Sequence, residues 1–187
     1  MNYDTKGVNT TDFEKLPPGN FQAVVVGVYG LGLQRKEYKD NETGEMKPKL
    51  EKQARIIWEI NKEDSTGAKF FLGKTYNLST HEMSTMAKHM KSWLGVTVDE
   101  NFDLSSVNGK NCLLTVVTSK SDYPVIASVG PLPEGMPEIA AEKPAPDGML
   151  RKIDELRGHA VSKGAPPQPV PAQDTGDTEQ VGEEAPW

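Results

Sequence analysis

The hydrophobic period of this 187-residue chain changes once, between residues 79 and 95, and that change constrains the fold more than any other feature. Within the segment, Met83, Met86, Ala87, Met90, Trp93 and Leu94 recur at three- and four-residue steps, the apolar stripe of a single helix. Ser79 and Glu82 precede it in the form of a capping box, and Gly95 stands where a helix commonly ends. On either side of the stripe the apolar residues come instead in short runs rich in β-branched and aromatic types, bounded by turn residues.

Three such runs precede the helix. Residues 20–29 predict a long first strand, bent at Gly27 or Gly30 as a barrel strand must bend. Residues 34–53 are charged and irregular and read as a hairpin loop with a turn at Asn41-Glu42-Thr43-Gly44. Residues 54–60 and 69–78 form the second and third strands around the turn Asp64-Ser65-Thr66-Gly67. After the helix, residues 111–118 and 123–129 give two more, joined by Ser119-Lys120-Ser121-Asp122. Three strands, one helix, two strands is the connectivity of the OB-fold, a five-stranded Greek-key barrel used for oligonucleotides and oligosaccharides. The expected class is therefore mainly β, with the helix between strands 3 and 4.

The ends differ in composition. Residues 1–18 are a polar lead-in closing on Leu16-Pro17-Pro18-Gly19, so the expected barrel domain is 19–130. Residues 131–161 read as a linker able to form a short helix. There Leu150, Ile153 and Leu156 share one side, and the helix either packs back on the barrel or forms transiently. Residues 162–187 are rich in Pro, Gln, Gly and Asp and are expected to be a disordered acidic tail. The net charge of −6 belongs to the C-terminal part: residues 1–130 hold 16 basic and 16 acidic side chains, residues 131–187 hold 5 and 11. A neutral barrel still permits a basic groove on one side. Cys112 is the only cysteine, which rules out an intrachain disulfide and a cysteine-built zinc site. No signal sequence and no eighteen-residue apolar run are seen, so a soluble, cytoplasmic protein with no membrane partner is expected.

The residues offer little for catalysis. His81 and His89 lie eight apart, off the spacing that brings two ligands together on a helix, and His159 stands alone in the C-terminal part. There is no His-Glu-x-x-His, no Gly-x-Ser-x-Gly and no phosphate-binding loop. The glycines of Gly27-Val28-Tyr29-Gly30-Leu31-Gly32 follow a strand without opening a helix, as a dinucleotide site would need. No catalytic residue, metal ligand or cofactor is assigned, although paired loop carboxylates keep a metal-dependent nuclease as an alternative.

Binding has more to work with. Residues 34–76 carry Arg35, Lys36, Lys39, Lys47, Lys49, Lys52, Arg55, Lys69 and Lys74 interleaved with Tyr38, Trp58, Phe70, Phe71 and Tyr76. A single strand needs cations along its phosphates and flat rings for its bases. The same interval has eight acidic residues, so a merely solvated surface is an equal reading. On the second strand Ala54, Ile56, Trp58 and Ile60 share the more apolar face, making Trp58 either core or stacking platform. Arg55 then lies on the outer face with Ile57 and Glu59, as the better phosphate candidate. On the third strand either Phe70 or Phe71 is the exposed aromatic, while Trp93, the helix methionines and Cys112 read as packing.

Taken together, the chain resembles phage-encoded single-stranded-DNA-binding proteins over roughly residues 15–130. The residues that carry this are Leu16-Pro17-Pro18-Gly19-Asn20-Phe21, Arg55-Ile56-Ile57-Trp58-Glu59-Ile60, Lys91-Ser92-Trp93-Leu94-Gly95 and Gly109-Lys110-Asn111-Cys112-Leu113-Leu114-Thr115-Val116. Its end, Glu183-Glu184-Ala185-Pro186-Trp187, is similar to the acidic tip of the bacterial proteins, with Trp where those have Phe and with fewer acids. The resemblance implies sequence-tolerant binding of single strands in replication, recombination or repair, in a host cytoplasm. It also implies recruitment of replication or recombination proteins by the tip and is compatible with a homo-oligomer. The alternative is a barrel that binds protein or serves structure and never meets DNA.

Overall fold

A computed structural model describes residues 14–160. Its elements are strands β1 (Gly19–Lys39), β2 (Met46–Glu63) and β3 (Lys69–Asn77), helix α1 (Thr85–Leu94), a 3-10 turn (Leu104–Val107), strands β4 (Asn111–Thr118) and β5 (Pro124–Gly130), and helix α2 (Asp147–Gly158). The five strands form one antiparallel, open sheet in the order β3-β2-β1-β4-β5. The two edge strands come near each other without a backbone ladder. Lys74 Nζ of β3 donates to the carbonyl oxygen of Ile126 in β5 at 2.7 Å across that seam.

Alternation fills the space inside the curved sheet. Ala54, Ile56, Trp58 and Ile60 of β2 meet Ala23 and Val25 of β1, Cys112, Leu114 and Val116 of β4, and Ile126 and Val129 of β5. Met86, Ala87, Met90 and Trp93 of α1 close the open end, with Trp93 donating its indole N–H to Asn111 O at 2.8 Å. Each large apolar side chain so buried contributes about 1.5–3 kcal/mol. Gly95 ends α1 in the left-handed conformation (φ 69°), its N–H on Lys91 O, as its position in the sequence implies.

The helix begins later than the sequence predicts. Ser84, not Ser79, is the N-cap, its Oγ accepting the Ala87 N–H at 3.1 Å, and the Ser79/Glu82 capping box does not form. Residues 79–84 are a loop instead, tied by Ser84 Oγ to Ser79 O at 3.0 Å and by Ser84 N to His81 O at 2.8 Å.

A second correction concerns residues 34–53, expected to be irregular. They are a regular two-stranded ribbon in which β1 and β2 stay paired as far as Lys39 and Met46. The turn at its tip is built by Asp40, whose carboxylate accepts the N–H groups of Glu42 and Thr43 and the Lys47 ammonium.

The sheet's other face is covered as well. Register shifts in β1 fall between Val25 and Gly27 and between Gly30 and Gly32, beside the glycines where bending is expected. A bulge re-aims the side chain of the extra residue. Val26 and Leu31 pack with Ile57, Ala145 and Ile153 beneath α2, whose Met149, Leu150 and Leu156 complete the patch. Gln34 fastens the end of α2, donating to Leu31 O at 2.7 Å and Leu156 O at 2.9 Å. Ile57 and Glu59 are therefore not on an outer surface, contrary to the alternation argument. Ile57 is fully buried and Glu59 is 2% exposed. No helix among the described residues is long and apolar enough to cross a membrane.

Candidate nucleic-acid interface

The β1–β2 ribbon projects most of the cations singled out in the sequence. Arg35, Lys36, Tyr38 and Lys39 on β1 and Lys49 and Lys52 on β2 are exposed, and Lys47 is half-exposed. Register places Lys36 opposite Lys49 and Tyr38 opposite Lys47. Directly opposed side chains in an antiparallel pair stand about 4.5–5.5 Å apart at Cβ, where like charges repel. One carboxylate, Glu51, serves both lysines, at 4.0 Å from Lys36 and 3.0 Å from Lys49. Lys47 is held by Asp40, whose carboxyl lies below its ordinary range, first because of that lysine and then because of the Thr43 and Glu42 N–H groups. Among the described residues Arg35, Lys39 and Lys52 have no ion-pair partner. Tyr38, 46% exposed, lies on the ribbon face of Lys36, Lys47 and Lys49, whereas Arg35, Lys39 and Lys52 lie on the other.

At the base of the ribbon lies an open cleft of about 730 Å³. Lys36, Lys49 and Glu51 form one wall; the end of β3, with Lys74 and Asn77, and the loop bearing Ser79, His81 and Met83 form the others. Lys74 is half-buried, and burial lowers its pKa from the ordinary lysine value.

The remaining expected contacts are placed elsewhere. Trp58 (0% exposed) and Tyr76 (1%) are core residues, unable to stack on a surface-bound strand. Tyr76 is kept inside by a hydrogen bond to His89 Nδ1 at 2.8 Å. Phe71 packs toward α2, and Lys69 is locked between Glu63 (3.3 Å) and Glu142 (3.2 Å), contacts that raise its pKa. Arg55 is half-buried. Its guanidinium lies over Gly73, where a Cβ would stand 2.7 Å from Nε, and its Nη1 donates to Thr75 Oγ1 at 3.1 Å. Its Nε is buried without an acceptor, and burial lowers its pKa. Arg55, Trp58, Lys69, Phe71 and Tyr76 thus stand apart from the ribbon set: β3 holds Arg55, and the two cores and the C-terminal segment claim the others.

The sequence does not mark Asn77, Ser79, His81 and Met83 as site residues, since residues 79–83 read as the helix start and Asn77 as part of the third strand. The tip residues Glu183, Glu184, Ala185, Pro186 and Trp187 lie outside the described residues. Among the described residues no three His, Cys, Asp or Glu side chains gather as a metal site. No family model, no curated protein and no solved structure matches the chain.

Proposed function

We propose that this protein binds single-stranded DNA without sequence preference, protecting it during replication, recombination or repair of a phage-like genome, and that it catalyses no reaction. The observation that carries this reading is the opposed pair Lys36 and Lys49 sharing one carboxylate beside the exposed Tyr38. A phosphate beside two lysines with one counter-charge relieves their repulsion, and a ring two residues away offers a base its π-face. Base–aromatic stacking is worth about 1–3 kcal/mol and is indifferent to sequence because every base has that face.

The architecture supports an OB-type assignment. β1 pairs with both β2 and β4, and the helix between β3 and β4 plugs the end of the sheet where β3 and β5 approach. The projecting β1–β2 ribbon then occupies the place of a loop that OB domains use for oligonucleotides. The acidic tip at Glu183–Trp187, proposed to recruit replication or recombination proteins, supplies a ring for an apolar pocket and charges for basic residues on a partner.

Titration of a labelled (dT)30 with ribbon variants tests the assignment. Lys36→Ala with Lys49→Ala should flatten the log–log salt slope by about 0.7, the value for the one phosphate the pair would hold. Tyr38→Ala should weaken binding by about 1–3 kcal/mol. Unchanged affinity and slope in both variants would remove the ribbon from the interface. A second reading, a protein-binding module, has its own support: Met46 (59% exposed) and Leu50 (52%) stand on the opposite side of the ribbon. Under that reading the strand does not bind at all.

A further inference from the structure

We infer that the cleft at the base of the ribbon is a pocket for one nucleotide of the strand, with His81, Asn77 and Met83 receiving its base. The inference rests on the proposed binding of single strands and assigns residues that lie off the ribbon.

The loop of residues 79–84 is built rather than slack. Ser84 Oγ donates to Ser79 O, the Ser84 N–H donates to His81 O, and the His81 N–H donates to Ser79 Oγ at 3.3 Å. The Met83 N–H donates to His81 Nδ1 at 3.1 Å, which leaves the ring proton on Nε2. That N–H has no protein acceptor among the described residues, although the ring is held in place. Asn77 is oriented in a similar way: its Oδ1 accepts from Gln53 Nε2 at 2.7 Å, so its amide NH₂ is left to donate. Two fixed donors therefore line one cleft without acceptors of their own.

The remaining walls supply the other two needs of a nucleotide. Lys36 and Lys49 are cations at the mouth, and Lys74 uses one of its three N–H bonds on Ile126 O. Met83 is 62% exposed at the rim, an unusual place for a large apolar side chain on an otherwise polar loop, and its polarizable thioether suits the face of a base. Phosphate to ammonium, base carbonyl oxygens to the two donors and base face to thioether give each of these groups a partner. Thymine, which carries two carbonyl oxygens on its rim, answers the two donors best, a preference confined to one position of an otherwise sequence-tolerant strand.

The full-length chain with (dT)30 provides the test, by anisotropy at two salt concentrations. His81→Ala with Met83→Ala should weaken binding about tenfold, the equivalent of one or two neutral contacts, and leave the salt slope unchanged because no charge is lost. Thermal melting checks that this double variant is folded. A (dT)30 carrying photoreactive 4-thiothymidine should also crosslink to the tryptic peptide of residues 75–88. Affinity within twofold of the parent protein, or crosslinks confined to ribbon peptides, would overturn the pocket while leaving strand binding standing. Failure of the parent protein to bind (dT)30 would overturn both.

Discussion

Glu59 and Glu142, 83 residues apart in the chain, are joined by the N–H of Glu142 donating to both oxygens of the Glu59 carboxylate, at 3.0 and 3.2 Å. The N–H of Lys143 adds a third bond at 2.9 Å. A carboxylate in the middle of a central strand is thereby satisfied by backbone that the sequence assigns to a linker. Glu59→Ala should destabilise the protein by about 1–3 kcal/mol, because both N–H groups lose their acceptor next to a buried face. Urea midpoints of the variant and parent protein would measure it. A chain stopped at Gly130 should lose more, since Leu31 and Ile57 would then face water.

A pH dependence follows from the seam between β3 and β5. His89 Nε2 donates to Ala127 O at 3.3 Å while Nδ1 accepts from Tyr76, so the neutral ring links α1 to both edge strands. Burial, and then the nearby Lys74 charge, holds its pKa below the ordinary value, only partly offset by the Ala127 bond. The unfolded chain takes up this proton near pH 6.5 and the folded one only at lower pH. Between those values the unfolded state binds more protons, so stability is full above about pH 6.5 and falls as the pH drops below it. Chemical denaturation at pH 7.5 and 5.5 should show this loss, and a smaller one in His89→Gln.

Cys112 acts at the opposite end of the scale. Burial pushes its thiol up to about 12. An unfolded thiol ionises near pH 8.5, so above that pH the unfolded state sheds a proton that the folded state keeps, and stability declines. The native protein should resist a disulfide-exchange reagent at pH 8 and react only at the rate of unfolding. Rapid modification of the folded chain would contradict the buried placement.

The tail makes a separable prediction. Removing Ala185–Trp187 should abolish capture of replication or recombination proteins while leaving affinity for a single strand intact or raised. Partner capture that survives the deletion would reject the tip as the docking element.

Element order was legible because the period changes once, and each strand ends in a turn with Gly, Asp or Asn. Alternation on β2 correctly set Trp58 with Ala54, Ile56 and Ile60, yet it left Ile57 and Glu59 looking solvent-exposed. Ile57 is covered by α2 and Glu59 by the backbone of Glu142 and Lys143, and the pairing of Ile153 with Leu31 depends on a bulge that the glycines only hint at. The ribbon was misread for a different reason. Lys47, Lys49, Glu51 and their partners have both faces in water, so no apolar alternation marks them, and their order comes from a ladder continued outward from β1 and β2. The helix start was misplaced because Ser79 and Ser84 are both competent caps, and side-chain bonds within the loop decide between them. The ribbon cations were therefore found as residues but not as an arrangement, whereas the cleft behind them was not visible at all.

Fluorescence anisotropy of labelled (dT)30 against a matched duplex, at low and moderate salt, decides between strand binding and a protein surface. Clear preference for the single strand is expected, with affinity that falls linearly in log[salt] at about −0.7 per phosphate contacted. Equal or no binding of the two at low salt would contradict it and leave the ribbon as a surface for protein.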